Sequence, residues 1–492
     1  MNPLRNVWTL LFAALMTGCT VGPDYHRPPV PVPATWKELD GWTAAHPDAA
    51  ALSKGDWWTA FHDPLLDELE PQVAVSNQTV RQSLANYQEA LADVRLARAS
   101  LFPTLGVTGS GTRERASTSA NTAAFGNRRT VNNAASLEGD ISWAPDLWGE
   151  VRRSIEQSAA TAQASQATLA NATLAEQVAL AQAVIDLRVA DANIDLFQRT
   201  VQAYTESLRV TQNQSDAGTI APSDLITART QLETAQSSLI ALGVSRAKYE
   251  HAIAVLVGRN PEALDVAHGA ALPALPALPE IPAGVPSTLL ERRPDIAVAE
   301  RQMAAQNAAI GVAVAAYYPT ISLSGLAGLS SSPLAGLFNI ASYVWSLGGS
   351  ASETIFDGGA RGARVDAARA VYDSAVANYR GTVLGAFQNV EDDLSGLRIL
   401  AQQQSAIDLA VQDARHGAQV ALNEYQAGTV DYTTVATAQA TQLTSEETAL
   451  GVTETRLIDT AALFGDLGGG WSISELCDAR RVSCGGATDK GQ

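Results

Sequence analysis

Three cysteines are the residues of this 492-residue chain best suited to covalent chemistry. Cys19 follows Arg5, an apolar run over 7–16 and the small pair Thr17-Gly18. That order reads as a short export signal ending at a cysteine that a lipoprotein signal peptidase exposes for acylation, with Met16 where Leu is usual. The apolar run is too short to persist as a spanning helix. Thr20, not Asp, follows the cysteine, so the lipid is expected in the outer membrane. An ordinary signal peptide that happens to contain Cys is the alternative. Cys477 and Cys484 lie close together in the tail and read as a small disulfide loop in an oxidising compartment, or else as two free thiols. They lack CxxC spacing, and His26, His46, His62, His251, His268 and His416 are scattered, without an H-E-x-x-H pair. G-x-S-x-G and P-loop motifs are absent as well. No metal, cofactor or enzymatic activity is therefore expected.

The elements that carry these residues are written twice. Leu101-Phe102-Pro103-Thr104 recurs as Tyr317-Tyr318-Pro319-Thr320, Asp146-Leu147-Trp148-Gly149 as Ile355-Phe356-Asp357-Gly358, and Ala217-Gly218-Thr219 as Ala427-Gly428-Thr429, at shifts of 216, 209 and 210 residues. The expected organisation is a signal peptide (1–18), an extended lipidated segment (19–66), a first repeat (67–270), a Pro-rich linker (271–286), a second repeat (287–468) and a tail (469–492). Each repeat reads helix, strand, strand, long helix, tight turn, helix. The formal charge of −18 argues against a nucleic-acid partner.

Strands are expected near 104–112, 136–143, 320–327 and 342–352. Leu137, Gly139, Ile141 and Trp143 alternate with Ser136, Glu138, Asp140 and Ser142, and Tyr343, Trp345 and Leu347 with Ser342, Ser346 and Ser350. Such alternation fits a membrane barrel strand and equally a half-buried strand of a soluble sandwich. In hydrocarbon, four strands would leave open edges and are too few to close, so the chain would have to share a barrel with copies of itself.

The stretch 150–214 has no Pro or Gly and would extend about 95 Å as a helix. Leu180, Leu187, Ile194, Val201 and Leu208 recur every seven residues, as do Val390, Leu397, Gln404, Val411 and Ala418. This is a coiled-coil period in the same register in both halves. Shorter series follow the turns at 215–223 and 425–432, namely Leu225, Leu232, Leu239 and Leu443, Leu450, Leu457, Phe464. Each half thus ends in an antiparallel hairpin.

With these features the chain resembles the TolC-like outer-membrane efflux proteins, in particular their NodT-like lipoprotein branch. The resemblance rests on Cys19-Thr20-Val21-Gly22-Pro23-Asp24-Tyr25, on Trp58-Thr59-Ala60-Phe61-His62-Asp63-Pro64, on VPSTLLERRPDIAVAE at 285–300 and on Leu467-Gly468-Gly469-Gly470-Trp471. It implies a mainly α fold with a membrane β-barrel. The trimer would place four strands per chain in a twelve-stranded barrel, above a coiled-coil helical tube in the periplasm. It implies as partners a homotrimer, a periplasmic membrane-fusion adaptor and an inner-membrane RND-type pump. The implied function is passive efflux of small molecules. A protein-secretion duct, or a non-conducting lipid-anchored coiled-coil scaffold, remains the alternative.

The resemblance also assigns residues. Ala217, Gly218, Thr219, Ala427, Gly428 and Thr429 become adaptor-docking turns, with simple helix termination as the other reading of their glycines. Asp431 would ring a closed periplasmic aperture, with helix N-capping as its other role, and Tyr432 would help to fill the constriction. Asp216 and Asp224 are weaker candidates for the same ring. Arg292-Arg293-Pro294-Asp295 is expected to be structural, and Asp392-Asp393 to be a solvated or lumenal face.

Overall fold

The computed structural model describes residues 20–33, 35–38, 56–115, 131–268, 289–332 and 334–477. Two short helices come first, α1 (Pro64–Ser76) and α2 (Gln78–Ala99). Asp63 caps α1 by accepting from the Leu65 amide at 2.8 Å, and Pro64 starts it. Asn77 ends α1 and caps α2, accepting from Thr79 and Val80 amides, while its amide group donates to Glu176 and to the Leu256 carbonyl. One buried side chain thereby fixes the bend and ties it to the long helices.

Strands β1 (Thr104–Arg115) and β2 (Val131–Trp143) follow, and later β3 (Thr320–Ser331) and β4 (Tyr343–Ser352). They make one antiparallel sheet in the order β1-β2-β3-β4, so β1 and β4 are its unpaired edges. The register places Leu105 opposite Ile141, Ile141 opposite Gly325 and Gly325 opposite Leu347. All four stand on one face, because the side-chain period of a strand is two.

The long helices are α3 (Glu150–Asp216) and α6 (Ala360–Gln426), 67 residues each and so about 100 Å long. Each hairpin returns through a 35-residue helix, α4 (Pro222–Leu256) or α7 (Tyr432–Asp466), and α5 (Pro294–Ala315) precedes β3. The starts of α3 and α6 use one device. Gly149 and Gly359 take left-handed φ of 83° and 92°. Asp146 then accepts from the Val151 and Arg152 amides, and Asp357 from the Gly359 and Arg361 amides.

The heptad line on α6 is buried at Val390, Leu397, Val411 and Ala418; Gln404 is half-buried and accepts from the Thr453 hydroxyl. On α3 only Leu180 and Leu187 of the corresponding line are fully buried. A second line three residues further on, Ala183, Ala190, Phe197, Tyr204 and Thr211, is buried throughout. The two lines together are the paired seam positions of a coiled coil, and the second escapes a search for Leu and Val because its residue types are mixed. Near the sheet, Ala159, Ala160, Ala162, Ala164 and Ala167 of α3 and Ala297, Ala299, Ala304, Ala305 and Ala308 of α5 are buried, so these two helices approach closely. At mid-height bulk replaces alanine, with Trp57 stacked on Phe464 at 5.6 Å and Phe61 edge-on to the same ring at 6.2 Å.

Candidate functional site: the wall, the hairpin tips and the N-terminal strap

The two faces of the sheet differ in chemistry. One carries Leu105, Val107, Leu137, Ile141, Leu323, Trp345 and Leu347, with Leu105 and Leu347 about four-fifths exposed at 81% and 80%. The other carries Thr108, Ser110, Ser136, Glu138, Asp140, Ser322, Ser346 and Ser350, interrupted by Leu326 and Val344. Hydroxyls on this polar face pair across strands, Ser110 with Ser136 at 2.9 Å and Ser322 with Ser350 at 2.8 Å. A largely exposed apolar face is stable against hydrocarbon and costly against water, whereas the hydroxyl face suits a wet lumen. Where strands meet helices, Trp148 donates to the Pro319 carbonyl at 2.8 Å and stacks on Tyr318. The Arg361 guanidinium, in the first turn of α6, lies 5.4 Å over the neighbouring Tyr317 ring.

The hairpin tips are near copies. Gly218 and Gly428 have φ of 71° and 74°, and nothing lies within 4 Å of a Cβ built on either. Positive φ, not crowding within the chain, is what demands glycine there. The Thr219 amide and hydroxyl both donate to the Gln214 carbonyl, at 3.0 and 2.9 Å, and Thr429 does the same to Glu424. Ala217 and Ala427 cap the preceding helices. Small side chains thus leave two exposed, hydrogen-bonded knuckles.

The turns differ in the next residues. Helix α4 starts at Pro222 after an uncapped Ala221, while Asp431 caps α7 through the Thr434 amide at 3.1 Å and hydroxyl at 3.0 Å, its carboxylate remaining exposed. Tyr432 is the first residue of α7. It is 1% exposed, packs edge-on to Tyr425 at 5.4 Å and donates to Gln231 at 3.3 Å. Burial pushes its hydroxyl up to about 12. The aromatic ring joins the two hairpins within the chain. Tyr425 makes the mirror contact, donating to Thr211 of α3 at 3.4 Å. Tyr425, Gln231 and Thr211 were not readable as functional, because each becomes a partner only when the two hairpins lie side by side. Asp216 is exposed and accepts from Gln212, and Asp224 is half-buried in the first turn of α4.

Residues 20–33 and 35–38 form a strap across the helices. Val21 donates to the Trp148 carbonyl, Arg153 donates to the Val21 and Gly22 carbonyls and pairs with Asp24 at 2.9 Å. Tyr25 donates to Glu300 at 2.5 Å, Arg27 to Tyr379 at 2.9 Å, and Trp36 packs edge-on to Phe387. A Cβ on Gly22 would stand 2.4 Å from the Gly311 Cα, and one on Gly149 2.5 Å from a Thr20 methyl. Glycines at those points let the strap lie flat on the backbone. Cys19 lies outside the described residues, but Thr20 is fixed where β2 gives way to α3.

Of the other singled-out residues, Arg293 pairs with Asp295 at 2.8 Å and Asp466 at 2.7 Å, tying the start of α5 to the end of α7. Gly468 closes this junction, since its Cβ would meet the Arg292 carbonyl at 2.3 Å. Asp392 is exposed, but Asp393 is not a solvated face. It is half-buried, and burial first, then Asp466, Asp459 and Asp392, pushes its carboxyl up to about 8. Cys477 is disulfide-bonded, and its backbone is held by Gln163 and Gln166 of α3; Cys484 lies outside the described residues. Among the described residues there is no metal-binding cluster and no helix long and apolar enough to cross a membrane.

A two-faced sheet with open edges, continued by helices of about 100 Å, defines a wall segment of an outer-membrane channel of TolC-like fold. The chain belongs to the outer membrane efflux protein family, whose model matches residues 69–259 and 285–469. It is 31% identical over 468 residues to the probable efflux pump outer membrane protein TtgC of Pseudomonas putida KT2440, covering 93% of this chain and 94% of that protein. Nodulation protein T of Rhizobium leguminosarum bv. trifolii is 29% identical, with 85% and 88% covered. The solved outer-membrane channel OprN superposes with a TM-score of 0.84 at 30% identity, covering 92% of this chain and all of that one. The chain is accordingly the exit-duct component of an efflux pump.

Proposed function

We propose that three copies close a twelve-stranded barrel, β4 of each pairing with β1 of the next, to make a passive conduit for small molecules. The observation that carries this reading is the sheet itself, apolar on one face, hydroxylated on the other and unpaired at both edges. Exposed Ile226, Ile240, Val244, Leu384 and Leu409 on the helices also call for cover by neighbouring copies. Cys19 carries the lipid, and the strap holds it at the level where strands become helices. The knuckles at Ala217-Gly218-Thr219 and Ala427-Gly428-Thr429 receive a periplasmic membrane-fusion adaptor, through which the duct meets an inner-membrane RND-type pump. Asp431 caps α7 and presents its carboxylate to the aperture. The disulfide of Cys477 is assigned to Cys484. Purified protein in planar bilayers tests the conduit. Step-like ionic conductance, raised by Asp431→Ala, is expected; a trimer silent both as wild type and as Asp431→Ala would refute the reading.

A further inference from the structure

We propose that His268 is a pH-dependent latch, fastening the start of the connector between the two halves, residues 264–268, to the middle of α3. After α4 the chain makes a short turn at Pro261–Ala263 and then runs back along α3 and α4. Val266 is buried there; its amide donates to Glu250 at 2.7 Å and its carbonyl accepts from Arg246 at 2.6 Å. Two residues on, the His268 ring lies between two carboxylates one helical turn apart. Its Nδ1 is 3.0 Å from Asp191 Oδ1 and its Nε2 is 3.0 Å from Asp195 Oδ1.

Ionised carboxylates only accept hydrogen bonds, and a neutral imidazole has one N–H to give. Both contacts are satisfied together only by the imidazolium. The surrounding charges fix what changes when the proton leaves. On α4, Arg246 donates to Asp191 at 2.7 Å and pairs with Glu250 at 3.1 Å. On α3, Arg188 adds a second positive charge near Asp191 but is itself committed to Asp63 at 2.9 Å. Beyond Asp195, the hollow between α3, α6 and α7 holds Arg199, Asp408, Arg415 and Glu446, with Arg415 engaged by Glu446. Asp191 therefore keeps a cation when the histidine is neutral, while the Nε2 contact to Asp195 loses its charge partner. Two carboxylates spaced i, i+4 are then left to repel.

The sign follows from linkage. The hydrogen bond to Asp195 is the main cause holding the His268 proton more tightly than the ordinary 6.5. The latch is fully closed below that value and is released as pH rises through the raised one. The latch fastens segments of one chain and does not depend on transport.

Backbone hydrogen exchange of the full-length protein in detergent, followed on the peptide spanning 257–268 from about pH 5 to about 9 and scaled for intrinsic rates, tests it. The wild type should lose protection in one transition with a midpoint above 6.5. His268→Gln should abolish the transition and stay at the high-pH exchange level. Asp195→Asn, a change at a half-buried position that leaves Arg246–Asp191 intact, should move the midpoint down. A transition that survives in His268→Gln, no transition in the wild type, or an unmoved midpoint in Asp195→Asn would each overturn the proposal.

Discussion

At the scale of single residues, Glu70 is the least compensated group among those described. It is wholly buried on α1, and neither carboxylate oxygen has a hydrogen-bond partner. Burial pushes its carboxyl from 4.5 to about 9, so it is protonated at neutral pH. The folded chain holds a proton that the unfolded chain releases above 4.5, so stability falls as pH rises from there and levels off only past about 9. The slope in that window is at most about 1.4 kcal/mol per pH unit. Glu70→Met removes the group, fills similar volume and should raise the unfolding temperature, by more at pH 9 than at pH 5. An equal gain at both values would show that Glu70 finds a partner in the assembly. Asp393 obeys the same sign with a value of about 8, so Asp393→Asn should stabilise more at pH 9 than at pH 6.

At the scale of elements, the hairpin tips separate geometry from docking. Gly428→Ala puts a Cβ into open space but asks a non-glycine residue to hold φ of 74°, at a cost of about 1 kcal/mol. Stability should drop by that small amount, while copurification with an adaptor should fall much further, and Gly218→Ala should behave alike. Loss of stability without loss of adaptor would reduce the glycines to helix terminators. Tyr432 makes a different point. Tyr432→Phe keeps the ring against Tyr425 and should cost little, whereas Tyr432→Ala empties a buried site and should cost about 3–5 kcal/mol, the usual range for a buried aromatic. The period-two strands, the seven-residue seams and the glycine turns were legible in the sequence because each is a local repeat with a fixed geometric meaning. The buried line Ala183–Thr211 and the burial of Tyr432 and Asp393 were not. Those depend on which helix lies alongside, and no spacing within one element encodes that. The strap motif was visible as a motif, but Gly22 against Gly311 is a meeting of residues 289 apart in sequence.

At the scale of the whole molecule, which face of the sheet meets lipid decides whether the chain is a duct wall or a plain scaffold. Leu347 and Ser346 are neighbours in the middle of β4, opposite Gly325 and Leu326, and they point to opposite faces. An arginine at a lipid-facing position near the bilayer midplane costs about 2–4 kcal/mol, while a lumenal one is tolerated and alters the pore. Leu347→Arg should therefore lower the fraction of assembled protein recovered from vesicles and its resistance to urea, leaving the conductance of whatever assembles unchanged. Ser346→Arg should assemble normally and lower the cation preference given by Glu138 and Asp140, which share its face. Helical content should be unaffected in both, because α3 packs on α4, α5 and α7, and α6 on α5 and α7, not on the sheet face. If instead Ser346→Arg blocked assembly and Leu347→Arg altered conductance, the sheet would be inverted and the hydroxyl face would lie outside. If neither substitution had an effect, the sheet would lie in water, and the exposed apolar face would belong to a soluble contact rather than a membrane.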